Sequence, residues 1–331
     1  MKPRLLHALR SAGVADYLVF LYLVGLNVAV ALSPQGPVRT MCLLQVAGLL
    51  AVFLLSMLLV RGELLRHRFW NALGYRIGIY GTVQLSYFFF KDLLPLVNPG
   101  SLDRELYALD QLLFGFEPAI WLDRFVGPLT TEWFAFFYFW YFFLLAAHIV
   151  PIIFGSRDAW LVGEFMLGML IVVCVGHLGY FLVPGFGPYK AMPEYFLHQL
   201  PSGLWMDLVW STVNSNGAMK DIFPSLHTAG PCFVAMFSFR NRDHLPFRYT
   251  WPLITFFAGN IIIATMFLRW HYVIDVFAGF ALATSAALLA PIITKWELDR
   301  RRAGGLGPLC PLFGEEKHQP VTRRGDEPAA V

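Results

Sequence analysis

Eight apolar runs, separated by polar or Gly/Pro residues, constrain this chain more than any other feature: about 15–32, 41–60, 73–97, 133–154, 159–183, 223–239, 250–268 and 272–294. A helix that crosses a bilayer needs ~20 mostly apolar residues, because its backbone polar groups must all be paired within the segment. The pattern predicts an all-α, polytopic membrane protein with about eight transmembrane helices. Composition agrees: 57% of the 331 residues are hydrophobic and 14% charged, against roughly 45–50% and about 25% in soluble domains. The first run follows Lys2, Arg4 and Arg10 and ends at Ala31-Leu32-Ser33, as a secretory signal would. Its apolar stretch exceeds the usual ~7–15 residues, so it reads as a retained anchor.

The net charge of +3 hints at an anionic partner, but the 25 Lys and Arg residues lie mainly in short loops and the C-terminal tail. No basic run is interleaved with aromatics, so no nucleic-acid partner is expected. If the chain alternates sides at each run, 18 of these residues fall on the side of the termini and seven on the other. Lys and Arg enrichment marks the cytoplasmic side, which predicts that both termini are cytoplasmic. Cys42, Cys174, Cys232 and Cys310 form no Cys-x-x-Cys pair and read as small buried hydrophobes.

Two long loops fall on the opposite side. Residues 98–132 carry Leu102, Leu106, Leu109, Leu113, Phe116 and Trp121 at roughly helical spacing, which predicts an amphipathic interfacial helix. Residues 184–222, rich in Pro, Gly and aromatics, suit a substrate lid or mouth. Residues 296–331 have too little apolar content to fold, and their basic start suits a cytoplasmic anchor on anionic headgroups.

Polar residues in apolar runs are costly and each is a candidate site. His148, Glu164 and His177 stand singly, as do Asn27, Gln84 and Asn260, and read as interhelical hydrogen-bonding groups. A different pattern joins Pro224-Ser225-Leu226-His227, at the start of the sixth run, to Arg269-Trp270-His271-Tyr272-Val273-Ile274-Asp275, between the seventh and eighth. Both emerge on the same side as Pro184-Gly185-Phe186-Gly187-Pro188-Tyr189-Lys190. His271 and Asp275 are four apart and share a helix face, so the carboxylate can hold one imidazole nitrogen and leave the other free to attack. Pro224 suits a first helical turn, where Ser225 and free N–H groups would cradle an anion and His227 would move a proton. Arg269 and Lys190 would pair with phosphate oxygens. The set describes phosphoryl transfer through a phosphohistidine. The rival chemistry is a two-His, one-carboxylate metal site at His227, His271 and Asp275, which the neighbouring Arg269 would oppose.

These segments resemble the type 2 phosphatidic acid phosphatase (PAP2) superfamily, whose members carry Pro-Ser-Gly-His and a later His-x-x-x-Asp. Gly187-Pro188-Tyr189 and Leu109-Asp110-Gln111-Leu112-Leu113-Phe114-Gly115 make the chain more similar to the branch of inositol phosphorylceramide synthases and their bacterial relatives. The resemblance implies a six-helix catalytic core over 73–295 with the interfacial helix 98–132, preceded by a cytoplasmic N-terminus and two additional helices over 1–72. It implies His271 as nucleophile, Asp275 as its orienting partner, His227 as acid and Ser225 as a phosphate contact; Tyr189, Lys190 and Arg269 complete the expected phosphate set. The chain departs from the pattern at Leu226, which replaces Gly, and at Ala264-Thr265, where phosphatases carry Ser-Arg. The early Lys-x6-Arg-Pro motif is also not recognisable. The expected activity is metal-independent transfer of a phosphoryl headgroup from a lipid donor to an alcohol, at the extracytoplasmic face and without a cofactor. Hydrolysis of a lipid phosphate or polyprenyl (di)phosphate is the alternative within the family. A lipid transporter or scaffold is the non-enzymatic one.

Overall fold

The computed structural model describes residues 2–216 and 219–315; the last part of the expected tail, 316–331, lies outside the described residues. Every regular element among them is helical. α1 (Lys2–Ser11) precedes α2 (Val14–Leu32) and α3 (Pro37–Arg61). An interrupted run follows: α4 (Arg68–Arg76), a π-helical turn (Ile77–Gly81), α5 (Thr82–Phe88) and α6 (Phe90–Val97). α7 (Asp103–Phe114) and α8 (Pro118–Leu122) lead into α9 (Pro128–Val150), which a second π turn prolongs to Gly155. Next come α10 (Ala159–Leu182), the short α11 (Pro188–Ala191) and α12 (Leu204–Asn216), and then α13 (Leu226–Arg240), α14 (Phe247–Phe267) and α15 (Val273–Gly304).

Six helices among the described residues are long and apolar enough to cross a membrane: α2, α3, α9 with its extension, α10, α14 and α15. The protein is thus an all-α, multi-pass integral membrane protein. The expected third span is the interrupted α4–α6 run. The sixth is α13, whose 15 residues rise about 22 Å at 1.5 Å per residue. Proline at the first turn starts α3, α8 and α9, where the missing N–H has no intrahelical partner to lose.

α10 is the central span, with 67% of its apolar window buried against 28–39% for the others. It packs on α2, α13 and α15. Side chains facing away from this core, such as Leu21, Leu44, Leu129 and Ile292, are exposed, as expected of surfaces that lie against lipid. Glu164 meets Arg240 at 2.8 Å, and His177 meets the Tyr22 hydroxyl at 3.0 Å, so both join neighbouring helices. Asn27 donates to the carbonyls of Leu23 and Val46, Asn260 accepts from the Trp133 indole, and His148 stays on its own helix against the Leu144 carbonyl.

Two expectations change. Residues 98–132 form two helices, and α7 buries Asp103, Leu106 and Asp110 while exposing Leu109, Leu112 and Leu113. In lipid the apolar stripe can face outward, and here the carboxylates turn inward to cap backbone. The second change concerns residues 296–315, expected to be unfolded. α15 continues to Gly304, and Leu309, Cys310 and Leu312 are then buried. Buried arginines hold this segment: Arg61 pairs with Asp16 at 2.8 Å and donates to the carbonyls of Pro308 and Leu309, and Arg76 donates to Pro311. Basic residues that mark an orientation by count thus also clamp a chain end.

Candidate active site

The end of the bundle at which α5, α9 and α13 meet the 184–222 and 268–272 segments encloses a cavity of about 310 Å³. His227 and His271 both line it. His271 lies in the short link between α14 and α15, held by its N–H to the Thr265 carbonyl at 3.2 Å. Its Nδ1 is 3.3 Å from Oδ2 of Asp275, one turn into α15. The same oxygen accepts the Tyr272 N–H at 3.0 Å, while Oδ1 has no partner. An ionised Asp275 places the imidazole hydrogen on Nδ1 and leaves Nε2 with its lone pair. Burial is the largest influence on His271 and lowers its pKa to about 4, against Asp221 and the Ile222 carbonyl, which raise it. The ring is therefore neutral at pH 7, as a nucleophile requires.

His227 stands on the first turn of α13, its ring centroid 5.9 Å from that of His271. It stacks on Tyr138 at 4.5 Å and tilts against Tyr141 at 4.3 Å, so two tyrosines from α9 fix the ring plane. The turn carrying His227 is itself fixed, because Ser225 donates its N–H to the Asp275 carbonyl at 3.0 Å. Gly279 makes this approach possible: a Cβ there would run into the Ser225 carbonyl.

The structure does not bring the whole expected phosphate set to the histidines. Ser225 is fully buried as the N-cap of α13, its hydroxyl oxygen accepting from the Thr228 N–H at 3.3 Å, so it occupies the terminus that it was expected to leave open. Arg269 does not line the cavity. Its guanidinium donates to Asp123 at 2.8 Å and to the His198 carbonyl and lies 4.0 Å from the centroid of Phe196. Lys190 sits over Phe186 at 4.0 Å, beside the cavity and not in its wall, and has no ion pair among the described residues. Tyr189 does line the cavity, packed on Trp270 at 4.5 Å.

Other residues complete the site. Asp221, in the segment before α13, lines the cavity and accepts from the Tyr87 hydroxyl at 2.7 Å. Burial, its largest influence, pushes its carboxyl up, against Tyr87 and His271. Trp270 also lines the cavity, and its buried Nε1–H has no partner, so it can donate to a bound oxygen. Asp103 holds the 186–187 turn by accepting from the N–H groups of Phe186 and Gly187 at 2.9 Å each, and it also accepts the Tyr272 hydroxyl at 3.1 Å. Gly187 is required there: its φ is 82° and a Cβ would strike the Trp270 carbonyl. Asp110 caps α15, accepting from Val273 at 2.7 Å and Ile274 at 2.9 Å. Nearby Glu117 is raised well above the ordinary carboxylate range, chiefly by burial and then by Asp110. Asp110, Gly187 and Trp270 lie in stretches that the sequence singled out, though nothing there disclosed these roles; Asp103, Glu117 and Asp221 carried no such signal. Among the described residues no group of three or more His, Cys, Asp or Glu is placed to hold a metal ion.

Compared with known proteins, the family model described as PAP2 superfamily matches residues 104–289, more than half of the chain. No match was found among curated proteins or among solved structures. The matched region contains the cavity and both histidines.

Proposed function

The chain belongs to the PAP2 superfamily, and on that premise we propose that it is a lipid phosphotransferase that moves a phosphoryl headgroup from a lipid donor to an alcohol through a phosphohistidine. Membership supports the coarser statement, an enzyme of the lipid phosphatase or phosphotransferase type acting on phosphoesters in a membrane. The observation that carries the finer one is the buried His271–Asp275 pair facing His227 across a mainly aromatic cavity.

In the first half-reaction Nε2 of His271 attacks phosphorus, a P–N bond forms and the P–O bond to the departing lipid alcohol breaks. His227, charged only once the anionic phosphoester lies against it, gives that oxygen its proton, and Asp275 balances the positive charge on His271. In the second half an acceptor hydroxyl attacks phosphorus, its proton passes to His227, the P–N bond breaks and both histidines return to their starting states. The Nε1–H of Trp270 is placed to steady a phosphate oxygen. Aromatic walls limit access of water to the phosphoenzyme, which favours transfer over hydrolysis. The core over 73–295, the sphingolipid-type branch, an extracytoplasmic site, cytoplasmic termini and metal-independence belong to the same proposal.

The test is turnover of radiolabelled lipid phosphoesters by the reconstituted chain, with and without an alcohol acceptor. The proposal expects labelled product only with the acceptor and none with His271→Ala. Free phosphate at an equal rate without acceptor would show a phosphatase. Full turnover in His271→Ala would reject the mechanism.

A further inference from the structure

The cavity has an unusual electrostatic character for a site that handles phosphate. Among the described residues lining it there is no Lys or Arg, and the single carboxylate is Asp221. The nearest ammonium groups, those of Lys190 and Lys220, lie over Phe186, and Lys220 is occupied by the carbonyls of Asn98, Pro99 and Gly100. A phosphomonoester dianion or a diphosphate would meet a carboxylate here without a cation in the wall.

Much of the rest of the wall is aromatic, with Gln84 and Thr212 as neutral polar side chains among the rings. Tyr138 stacks on Trp270 at 6.1 Å, Trp270 packs on Tyr189, and Tyr87 brings its hydroxyl to Asp221. A carboxylate set among aromatic faces attracts a compact organic cation, through the charge of the carboxylate and the negative ring faces together. At about 310 Å³ the cavity has the size of the smallest ligand pockets, fit for a headgroup whose lipid tail remains in the bilayer.

We propose that the cavity selects a zwitterionic phosphoester, its phosphate at His271 and a primary or quaternary ammonium seated between Asp221 and the rings of Tyr87, Tyr138 and Trp270. This deepens the lipid phosphotransferase reading and rests on it for the chemistry, though not for the binding preference. The anionic phosphate and the cationic end cancel, so the site needs no arginine clamp of its own.

The experiment is competition against tritiated hexadecylphosphocholine bound to the purified full chain in dodecyl maltoside. The competitors are hexadecylphosphocholine, hexadecylphosphoethanolamine and hexadecyl phosphate. At least one ammonium-bearing competitor is expected to bind tenfold or more tightly than hexadecyl phosphate, and the stronger of the two identifies the quaternary or primary form. Asp221→Asn is expected to abolish that preference and Asp221→Glu to restore part of it. Equal or tighter binding of hexadecyl phosphate, or a preference that survives in Asp221→Asn, overturns the inference. If Asp221→Asn does not fold, tetramethylammonium and methylammonium serve with the unmodified chain: displacement of the labelled ligand by either supports the inference, and displacement by neither overturns it. His271→Ala separates the two readings. It should lose turnover and keep the headgroup preference, whereas turnover retained in that variant removes the phosphohistidine and leaves the preference standing.

Discussion

Val273 donates its backbone N–H to Asp110 at 2.7 Å, across 163 residues of sequence. The helix that carries Asp275 therefore starts at a carboxylate supplied by α7, and the His271–Asp275 geometry depends on it. Asp110→Ala is expected to lose about 1 kcal/mol of stability, as other N-cap deletions do, and to lower kcat tenfold or more by loosening the first turn of α15. Asp110→Asn, whose one oxygen can accept from only one of the Val273 and Ile274 N–H groups, should retain part of both. Thermal unfolding in detergent and turnover, measured together, check this. A kcat unchanged in Asp110→Ala would show that the cap does not position Asp275.

Arg269 and Asp123 form a part-buried pair beside Phe196. Removing Arg269 leaves Asp123 only the His198 ring and two backbone N–H groups, and removing Asp123 leaves Arg269 only the His198 carbonyl and Phe196, so a double-mutant cycle with Arg269→Met and Asp123→Leu should give a coupling of about 1–3 kcal/mol in stability. Arg269 does not face the cavity, so the KM of the double variant should stay within about threefold of the unmodified chain. A KM that rises in every variant lacking Arg269, whatever stands at 123, would return Arg269 to the phosphate set.

Burial lowers His271 from its ordinary 6.5 to about 4. Between these values the unfolded chain binds a proton at this position and the folded chain does not. Its contribution is therefore complete above about pH 6.5 and is lost as pH falls towards 4, by at most about 3 kcal/mol. The apparent unfolding temperature should fall over that window, and less so in His271→Gln. The acid limb of kcat/KM that reports His271 should lie near 4, not near 6.5. A limb at 6.5, with no difference between the two chains in unfolding, would contradict the burial argument.

The membrane-spanning helices could be read from the apolar runs because length in a bilayer is a strict requirement; His271 and Asp275 do meet, but His271 precedes the first turn of α15 and shares no helix face with Asp275, so the spacing named the pair and not its geometry. What could not be read depended on long-range partners. Arg269 beside a histidine has the chemistry of a phosphate ligand until Asp123, 146 residues away, takes its guanidinium. Ser225 looks like an open anion cradle until its oxygen turns onto its own helix. Asp221 carries no spacing signal: it is one acidic residue in a polar link, and its importance comes from Tyr87 and the cavity around it. Composition marked 296–315 as unfolded because backbone carbonyls, the groups that Arg61 and Arg76 bind, are the same in every sequence. α7 was read as part of one interfacial helix over 98–132, and the spacing of its leucines gave no sign that the helix would stop at Phe114 or that Asp103 and Asp110 would turn inward to cap backbone.

The most direct measurement is mass spectrometry of the chain quenched at alkaline pH after brief exposure to a radiolabelled lipid phosphoester, without an acceptor. Label on His271 that disappears when an alcohol is added is the predicted result. Turnover with no label on His271, or label that persists in His271→Ala, would contradict the account.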